Sequence, residues 1–103
     1  MTTIIVYTII VFTWDARKAA GNLEKHGVSF EEAATVFADP EALEWEDLEH
    51  SHNESRFKRL GISVQGRIVI LVYSYWRTKD GKETIRIVTA RRASPKERKA
   101  YAK

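Results

Sequence analysis

The chain has 103 residues, no cysteine and a formal net charge of +3. That length accommodates one domain (1–103) with one hydrophobic core, and the absence of cysteine excludes disulfide bridges and thiolate metal sites. Residues 39–54 contain seven acidic side chains, whereas residues 86–103 contain seven basic side chains and one acidic one. The basic end could bind phosphate or an acidic partner, although a solvated C-terminal helix explains it equally well.

The first predicted element is a strand over residues 4–13, where isoleucine, valine, threonine and tyrosine dominate. The uncharged run over residues 2–12 is too short to cross a bilayer as a helix. It also lacks the basic segment and the cleavage site of a signal peptide. We therefore expect a cytoplasmic protein that does not contact a membrane, in which residues 1–11 could add an extra N-terminal strand.

Two helices are predicted next. Asp15 is a typical N-cap for a helix over Ala16–His26, and Gly27 is a natural residue for its C-terminal end. Ser29 and Glu32 have the spacing of a capping box, which predicts a second helix that runs to about residue 38 and ends at Asp39-Pro40. Both helices have one apolar stripe, so each is expected to pack on a sheet.

The rest of the chain predicts a hairpin-linked sheet and a final helix. The acidic segment 41–53 is expected to be irregular. Strands are predicted over 54–63, 67–76 and 83–91, because apolar and β-branched residues alternate there between turn residues. Asp80-Gly81 is a strong hairpin signal, and Ser94-Pro95 with Glu97 predicts a capped last helix. The expected fold is α+β in the order β-α-α-β-β-β-α, an antiparallel sheet with two helices on one face and a C-terminal helix.

Three groups of residues could carry chemistry. His50 and His52 lie among carboxylates, but their spacing matches no standard zinc site, and we expect solvated loop residues and no metal. Lys25-His26 at the end of the first helix fits either a helix-dipole interaction or a general acid or base. The third group combines sheet residues with one residue of the last helix, Tyr101. The sheet residues are arginines 56, 86, 91 and 92 and the aromatic residues Tyr73, Tyr75 and Trp76.

The arginines fit phosphate, because a planar guanidinium group can donate to two oxygens at once. Pairing with a carboxylate such as Glu54 or Asp15 would account for any single arginine equally well. Strict alternation along the last strand places Arg86 and Arg91 on opposite faces. A twisted strand end or a bulge at Ala90 would bring them to the same face.

The aromatic side chains could stack on bases or fill the core. No Walker loop, G-x-S-x-G or H-E-x-x-H motif is present, so nucleotide hydrolysis, serine hydrolysis and zincin chemistry have no support.

Taken together in chain order, these residues resemble the BrnT toxins. The opening motif is Phe12-Thr13-Trp14-Asp15 with Lys18, Asn22 and Lys25-His26-Gly27-Val28. Phe30-Glu31-Glu32-Ala33 and Val36-Phe37-Ala38-Asp39 follow, and then His50-Ser51, Glu54 and Arg56-Phe57. The closing motif is Arg86 to Ala93, Glu97-Arg98 and Tyr101. Each piece is weak alone, whereas the ordered set is specific.

The resemblance implies a RelE-like fold and a type II toxin that cleaves RNA without a metal or cofactor and arrests translation. It also implies a BrnA-like ribbon-helix-helix antitoxin, a dimeric toxin–antitoxin assembly, and contact with operator DNA only through that antitoxin. The expected catalytic residues are Arg56, Arg86 and Arg91 at the phosphate, with His26, Glu54 and Tyr73 for proton transfer. The expected RNA-binding residues are Lys25, Lys58, Arg92 and Tyr101, of which Lys25 and Tyr101 are also candidates for proton transfer. The alternative is a non-catalytic module that binds RNA or a protein through the same surface.

Overall fold

The computed structural model describes residues 10–103. Strand β1 (Ile10–Thr13) leads into helices α1 (Ala16–His26) and α2 (Phe30–Thr35), and a 3-10 turn (Val36–Ala38) extends α2. The remaining elements are β2 (Leu43–Glu46), a 3-10 turn (Leu48–His50), β3 (Arg56–Ile62), β4 (Ile68–Arg77), β5 (Glu83–Arg92) and α3 (Pro95–Tyr101). The N-terminal strand that the sequence predicts over residues 1–11 lies mostly outside the described residues. None of the described helices is long and apolar enough to cross a membrane.

The strands form one mixed sheet in the order β1-β5-β4-β3-β2. The expectation of an antiparallel sheet is wrong at one edge, because β1 pairs with β5 in parallel, while the other pairs are antiparallel. The expectation of an irregular acidic segment is also wrong, because Leu43–Glu46 is the edge strand beside β3. This strand alternates apolar Leu43 and Trp45 with acidic Glu44 and Glu46. Such a short alternation becomes a strand only through its pairing with β3.

Local capping interactions set the helix boundaries. The Asp15 carboxylate accepts a hydrogen bond from the Lys18 amide at 3.0 Å. Gly27, at φ 69°, ends α1 in the left-handed conformation that glycine adopts without steric cost. At α3 the predicted capping box is complete, because Ser94 Oγ accepts from the Glu97 amide and the Glu97 carboxylate accepts from the Ser94 amide. These ends match the sequence-based boundaries.

The capping box predicted at Ser29 is only half formed. Ser29 Oγ accepts from the Glu32 amide at 3.0 Å. The Glu32 carboxylate, however, turns into the protein, where it accepts from Ser63 Oγ at 2.7 Å and from the Arg67 guanidinium. The hydrogen bonds from Arg67 hold the pKa of the buried Glu32 carboxyl below its usual value. This residue therefore ties α2 to the β3–β4 turn instead of closing the cap.

The two faces of the sheet are covered to different extents. Helices α1 and α2 pack on one face, and the main core lies between them and β4 and β5. Its buried residues are Val28, Phe30, Ala33, Val36, Val69, Leu71, Tyr73, Ile85, Ile87 and Ala90. On the opposite face, a smaller cluster of Leu60, Ile70 and Ala93, with Ile68 and Tyr101 against it, lies beside α3. Because α3 has only seven residues, no described helix covers the rest of this face. This part of the sheet carries Arg56, Lys58, Ser74, Arg86 and Arg91 and is here called the open face.

Beyond the end of β1, the backbone at the edge of β5 forms hydrogen bonds with a side chain. Within the described residues, β1 pairs with residues 83–86 of β5. Past that point, Asn22 of α1 donates to the Ala90 carbonyl at 2.7 Å and accepts from the Ala90 amide at 3.1 Å. Its amide also donates to the Val28 carbonyl at 3.0 Å. The Asn22 side chain thus replaces a neighbouring strand and satisfies buried backbone groups that would otherwise be unpaired.

Candidate active site

The open face carries two arginines in one row across the sheet. Arg56 of β3 and Arg86 of β5 both pair with Ser74 of the central strand β4. Directly paired residues project from the same face, and two interstrand spacings separate the arginine Cα atoms by roughly 10 Å. Guanidinium groups on long side chains at this separation can converge on one phosphate from two sides.

A carboxylate is fixed in the same row. Ser74 Oγ donates to Glu54 Oε1 at 2.7 Å, and Arg56 Nη2 lies 3.6 Å from the same oxygen. Within residues 10–103, Arg86 forms neither an ion pair nor a side-chain hydrogen bond. The row therefore combines one carboxylate with two guanidinium groups, and within residues 10–103 only the guanidinium of Arg56 is paired with that carboxylate.

The next rows extend the basic surface toward α3. Lys58 pairs with Trp45 on one side and with Val72 on the other, and Arg91 pairs with Ile70. A depression of about 190 Å³ is lined by Trp45, Lys58, Ile70, Val72, Thr89, Arg91 and Glu97. The surface thus places an exposed tryptophan of the edge strand beside Lys58, which is an arrangement suited to single-stranded nucleic acid.

Arg91 lies on this face but at a distance from the row of Arg56 and Arg86. Its partner Ile70 is four residues from Ser74 on β4, which corresponds to roughly 13 Å along the strand. Its guanidinium donates to both Glu97 carboxylate oxygens, at 2.8 and 2.9 Å. Arg91 is therefore placed to meet a neighbouring part of an extended ligand.

A β-bulge brings Arg86 and Arg91 to the same face. Val72 pairs with Thr89 while Tyr73 pairs with Ile87, so Val88 is an extra residue in β5. The extra residue shifts the alternation. The expected placement of Arg86 and Arg91 on opposite faces is therefore wrong. The bulge that reconciles them lies at Val88, two residues before the predicted position at Ala90.

Lys25 and His26 lie at the edge of the sheet, beside this bulge. With Val88 and Thr89 they line a pocket of about 320 Å³ between the end of α1 and β5. Thr89 also lines the depression on the open face, so the two pockets are neighbours. The structure therefore places Lys25 and His26 next to the surface of Lys58 and Arg91, rather than in the row that contains Arg56.

Three other predicted site residues lie apart from the open-face row. Tyr73 is buried on the helix-covered face, where its hydroxyl donates to Glu44, and burial together with this carboxylate raises its pKa well above the usual value. The Tyr101 hydroxyl on α3 donates to Asp39 at 2.7 Å, which raises the pKa of Tyr101. Arg92 pairs with Val69, so it projects from the face opposite Arg91. We therefore leave these three residues out of the site.

Sequence reasoning missed two parts of the site. The first is Trp45, because the segment that contains it was expected to be irregular; the alternation of apolar and acidic residues over 43–46 was the available signal. The second is a pocket of about 240 Å³ beside Arg56, lined by His50, His52, Asn53, Glu54 and Arg56. No group of three or more His, Asp or Glu side chains in residues 10–103 is arranged to hold a metal ion.

These features define a small α+β domain whose open sheet face is suited to a phosphate-bearing ligand. Residues 14–97 match the family model described as the ribonuclease toxin BrnT of type II toxin–antitoxin systems. The chain therefore belongs to the BrnT toxin family. Its structure is similar to the 1.1 Å crystal structure of the Brucella abortus ribonuclease toxin BrnT, with a TM-score of 0.55 and 18% identity over 86% of this chain and 99% of the other. No curated protein sequence matches the chain.

Proposed function

We propose that this chain is an endoribonuclease that cleaves RNA without a metal ion and thereby arrests translation in the cytoplasm. The observation that carries the proposal is the open-face row, in which Arg56 and Arg86 flank Ser74 and the Glu54 carboxylate. Membership of a family of ribonuclease toxins supports the same reaction class. The two guanidinium groups supply the positive charge that a metal ion would otherwise contribute.

The reaction follows from the groups in this row. The RNA 2′-OH attacks the adjacent phosphorus, the bond from phosphorus to the 5′-oxygen breaks, and the products are a 2′,3′-cyclic phosphate and a 5′-OH. Glu54 accepts the proton of the 2′-OH, because it is the carboxylate of the row and Ser74 fixes its position. Arg56 and Arg86 hold the phosphate in line and stabilise the charge that develops on its oxygens.

Neighbouring side chains position the RNA. Arg91 and Lys58 contact phosphates that flank the scissile one, because they lie on the same face but in other rows. Trp45, with 43% of its surface exposed beside Lys58, stacks on a base. Lys25 and His26 contact the RNA where it passes the edge of the β-sheet at Thr89.

The partner follows from family membership, since a type II toxin is paired with an antitoxin protein. We infer that this antitoxin is a BrnA-like ribbon-helix-helix protein and that the complex is a dimeric assembly. In that assembly the antitoxin, not the toxin, contacts operator DNA. We also propose that the fold is RelE-like, as the family resemblance implies.

Incubation of the purified chain with a labelled RNA in the presence of EDTA tests the proposal. We expect cleavage that leaves cyclic phosphate ends. Arg56→Ala and Arg86→Ala should each slow it by about 10²- to 10³-fold, the range found when one charge-stabilising donor is removed from an active site. Circular dichroism of each variant would verify that it is folded.

Arg92→Ala is the matched control, because Arg92 is exposed on the same strand as Arg86 but projects from the other face. It should cleave at the wild-type rate. Binding of RNA without any cleavage by the wild-type chain would refute the enzyme proposal and support the non-catalytic binding module instead. Equal losses in Arg86→Ala and Arg92→Ala would contradict the assignment of the open face.

A further inference from the structure

A histidine next to Arg56 is held by a buried carboxylate. His50 Nδ1 lies 2.9 Å from Asp47 Oδ2, and the Asp47 side chain is only 8% exposed while that of His50 is 56% exposed. A carboxylate bound to one ring nitrogen fixes the orientation of an imidazole. The free nitrogen, Nε2, is then the one available to the pocket that His50 lines together with Glu54 and Arg56.

The loop that carries His50 is joined to Arg56 by further hydrogen bonds, and another lies within the loop. The Asp47 amide donates to the Arg56 carbonyl at 2.7 Å. Ser51 Oγ accepts from the Arg56 amide at 2.9 Å and donates to the Asp47 carbonyl at 2.7 Å. These bonds fix the start of β3 and the His50 loop relative to each other. His50 is therefore part of a built structure around Arg56 rather than a side chain on a free loop.

We propose that His50 is a catalytic residue of this site, the general acid that protonates the leaving 5′-oxygen, and that Asp47 is its positioning residue. This inference rests on the proposed ribonuclease function. In the step, Glu54 takes the proton of the attacking 2′-OH and His50 Nε2 gives its proton to the 5′-oxygen as the bond to phosphorus breaks. Glu54 then releases its proton to water and His50 regains one from water, so protons and charge balance over one turnover.

The assignment as acid follows from the groups around the row. Glu54 is a carboxylate, which accepts a proton, whereas the arginines keep theirs at neutral pH. The described residues near Arg56 therefore leave the donor role to a histidine, because an imidazole both gives and regains a proton near neutrality. His50 and His52 line the same pocket. Only His50 has a carboxylate partner within the described residues, so the geometry selects it.

Two substrates distinguish a general acid from a residue that merely supports the fold. One is an RNA oligonucleotide, whose 5′-oxygen leaves only with a proton. The other is a uridine 3′-phosphate ester of 4-nitrophenol, whose leaving group departs without one. We expect His50→Gln to slow oligonucleotide cleavage by about 10²- to 10⁴-fold and to leave cleavage of the nitrophenyl ester close to the wild-type rate. Asp47→Asn should give a smaller loss with the same dependence on substrate.

Glu49→Gln is the control, since Glu49 is exposed in the same 3-10 turn as His50 but does not line the pocket, and it should leave both rates unchanged. Binding of a 2′-O-methyl RNA, which cannot be cleaved, should be the same for the wild type and His50→Gln. The role of His50 would be overturned, while the ribonuclease proposal stands, if His50→Gln cleaved the oligonucleotide at the rate of Glu49→Gln or lost equal activity on the two substrates. A wild-type chain that cleaves neither substrate would instead refute the ribonuclease proposal and, with it, this assignment.

Discussion

The ion pair between Glu97 and Arg91 links the stability of the fold to pH. The Glu97 carboxylate accepts two hydrogen bonds from Arg91 and one from the Ser94 amide. These hydrogen bonds, above all those from Arg91, lower the pKa of Glu97 from 4.5 to about 2. A carboxyl whose pKa is lower in the folded state stabilises that state above its unfolded pKa. We therefore expect this contribution to be complete above about pH 4.5 and to be lost as the pH falls toward 2.

The magnitude follows from the size of that change. The lowering of the Glu97 pKa from 4.5 to about 2 corresponds to a stabilisation of the folded state by about 3 kcal/mol. The Arg91 side chain is 44% exposed and that of Glu97 is 23% exposed, so water screens the pair. We expect the real contribution to be about 1–2 kcal/mol at neutral pH. This amount is a substantial part of the stability of a small domain.

Glu97→Gln tests this prediction, because glutamine keeps an oxygen that can accept from the Ser94 amide but carries no charge. Urea unfolding at a series of pH values should show the variant less stable than the wild type by about 1–2 kcal/mol at neutral pH. The difference should shrink steadily below about pH 4.5. Glu31→Gln is the control, since Glu31 is exposed and should change stability little at any pH. A difference for Glu97→Gln that stays constant down to the acid limit would refute the reasoning.

Two further predictions concern the sheet edge and the open face. Asn22→Ala should reduce the free energy of unfolding, measured in urea, by about 3 kcal/mol, because it leaves buried backbone groups of Val28 and Ala90 without partners. Asn53→Ala, in an exposed loop, is the control. A loss of stability in Asn22→Ala no larger than that in Asn53→Ala would contradict this prediction. Trp45→Ala should raise the Kd for single-stranded RNA roughly fivefold or more in fluorescence anisotropy, since stacking on one base contributes about 1–3 kcal/mol. An unchanged Kd would show that Trp45 does not contact RNA.

Local signals predicted the elements well because their causes are local. Asp15 and Ser94 cap the helices at the positions that the sequence indicates. The hairpin strands, predicted over 67–76 and 83–91, are observed as Ile68–Arg77 and Glu83–Arg92. An N-cap or a two-residue turn is decided by neighbours in the chain. Such features therefore require no knowledge of the tertiary structure.

Features decided by distant partners were missed. Residues 43–46 form a strand only because β3 lies beside them, and β1 is parallel to β5 only because the chain crosses the sheet through α1 and α2. Glu32 has the spacing of a capping box, yet its carboxylate binds Arg67, 35 residues away in the sequence. Each of these outcomes depends on a contact that no short sequence window contains. The same holds for Asn22, whose side chain meets the Ala90 backbone 68 residues away.

The bulge at Val88 allows two pairs of β5 side chains to lie on faces that strict alternation would not give them. The core requires Ile87 and Ala90 to face the helices, and they are three residues apart, an odd separation. The open face requires Arg86 and Arg91, which are also an odd number of residues apart. One extra residue between these positions shifts the alternation once and satisfies both demands together. The bulge interrupts the pairing of β5 with β4 between Ile87 and Thr89, and on the other edge of β5 Asn22 pairs with Ala90 beyond the end of β1. The position of Arg91 on the open face therefore depends on packing at the opposite side of the same strand, as well as on α1.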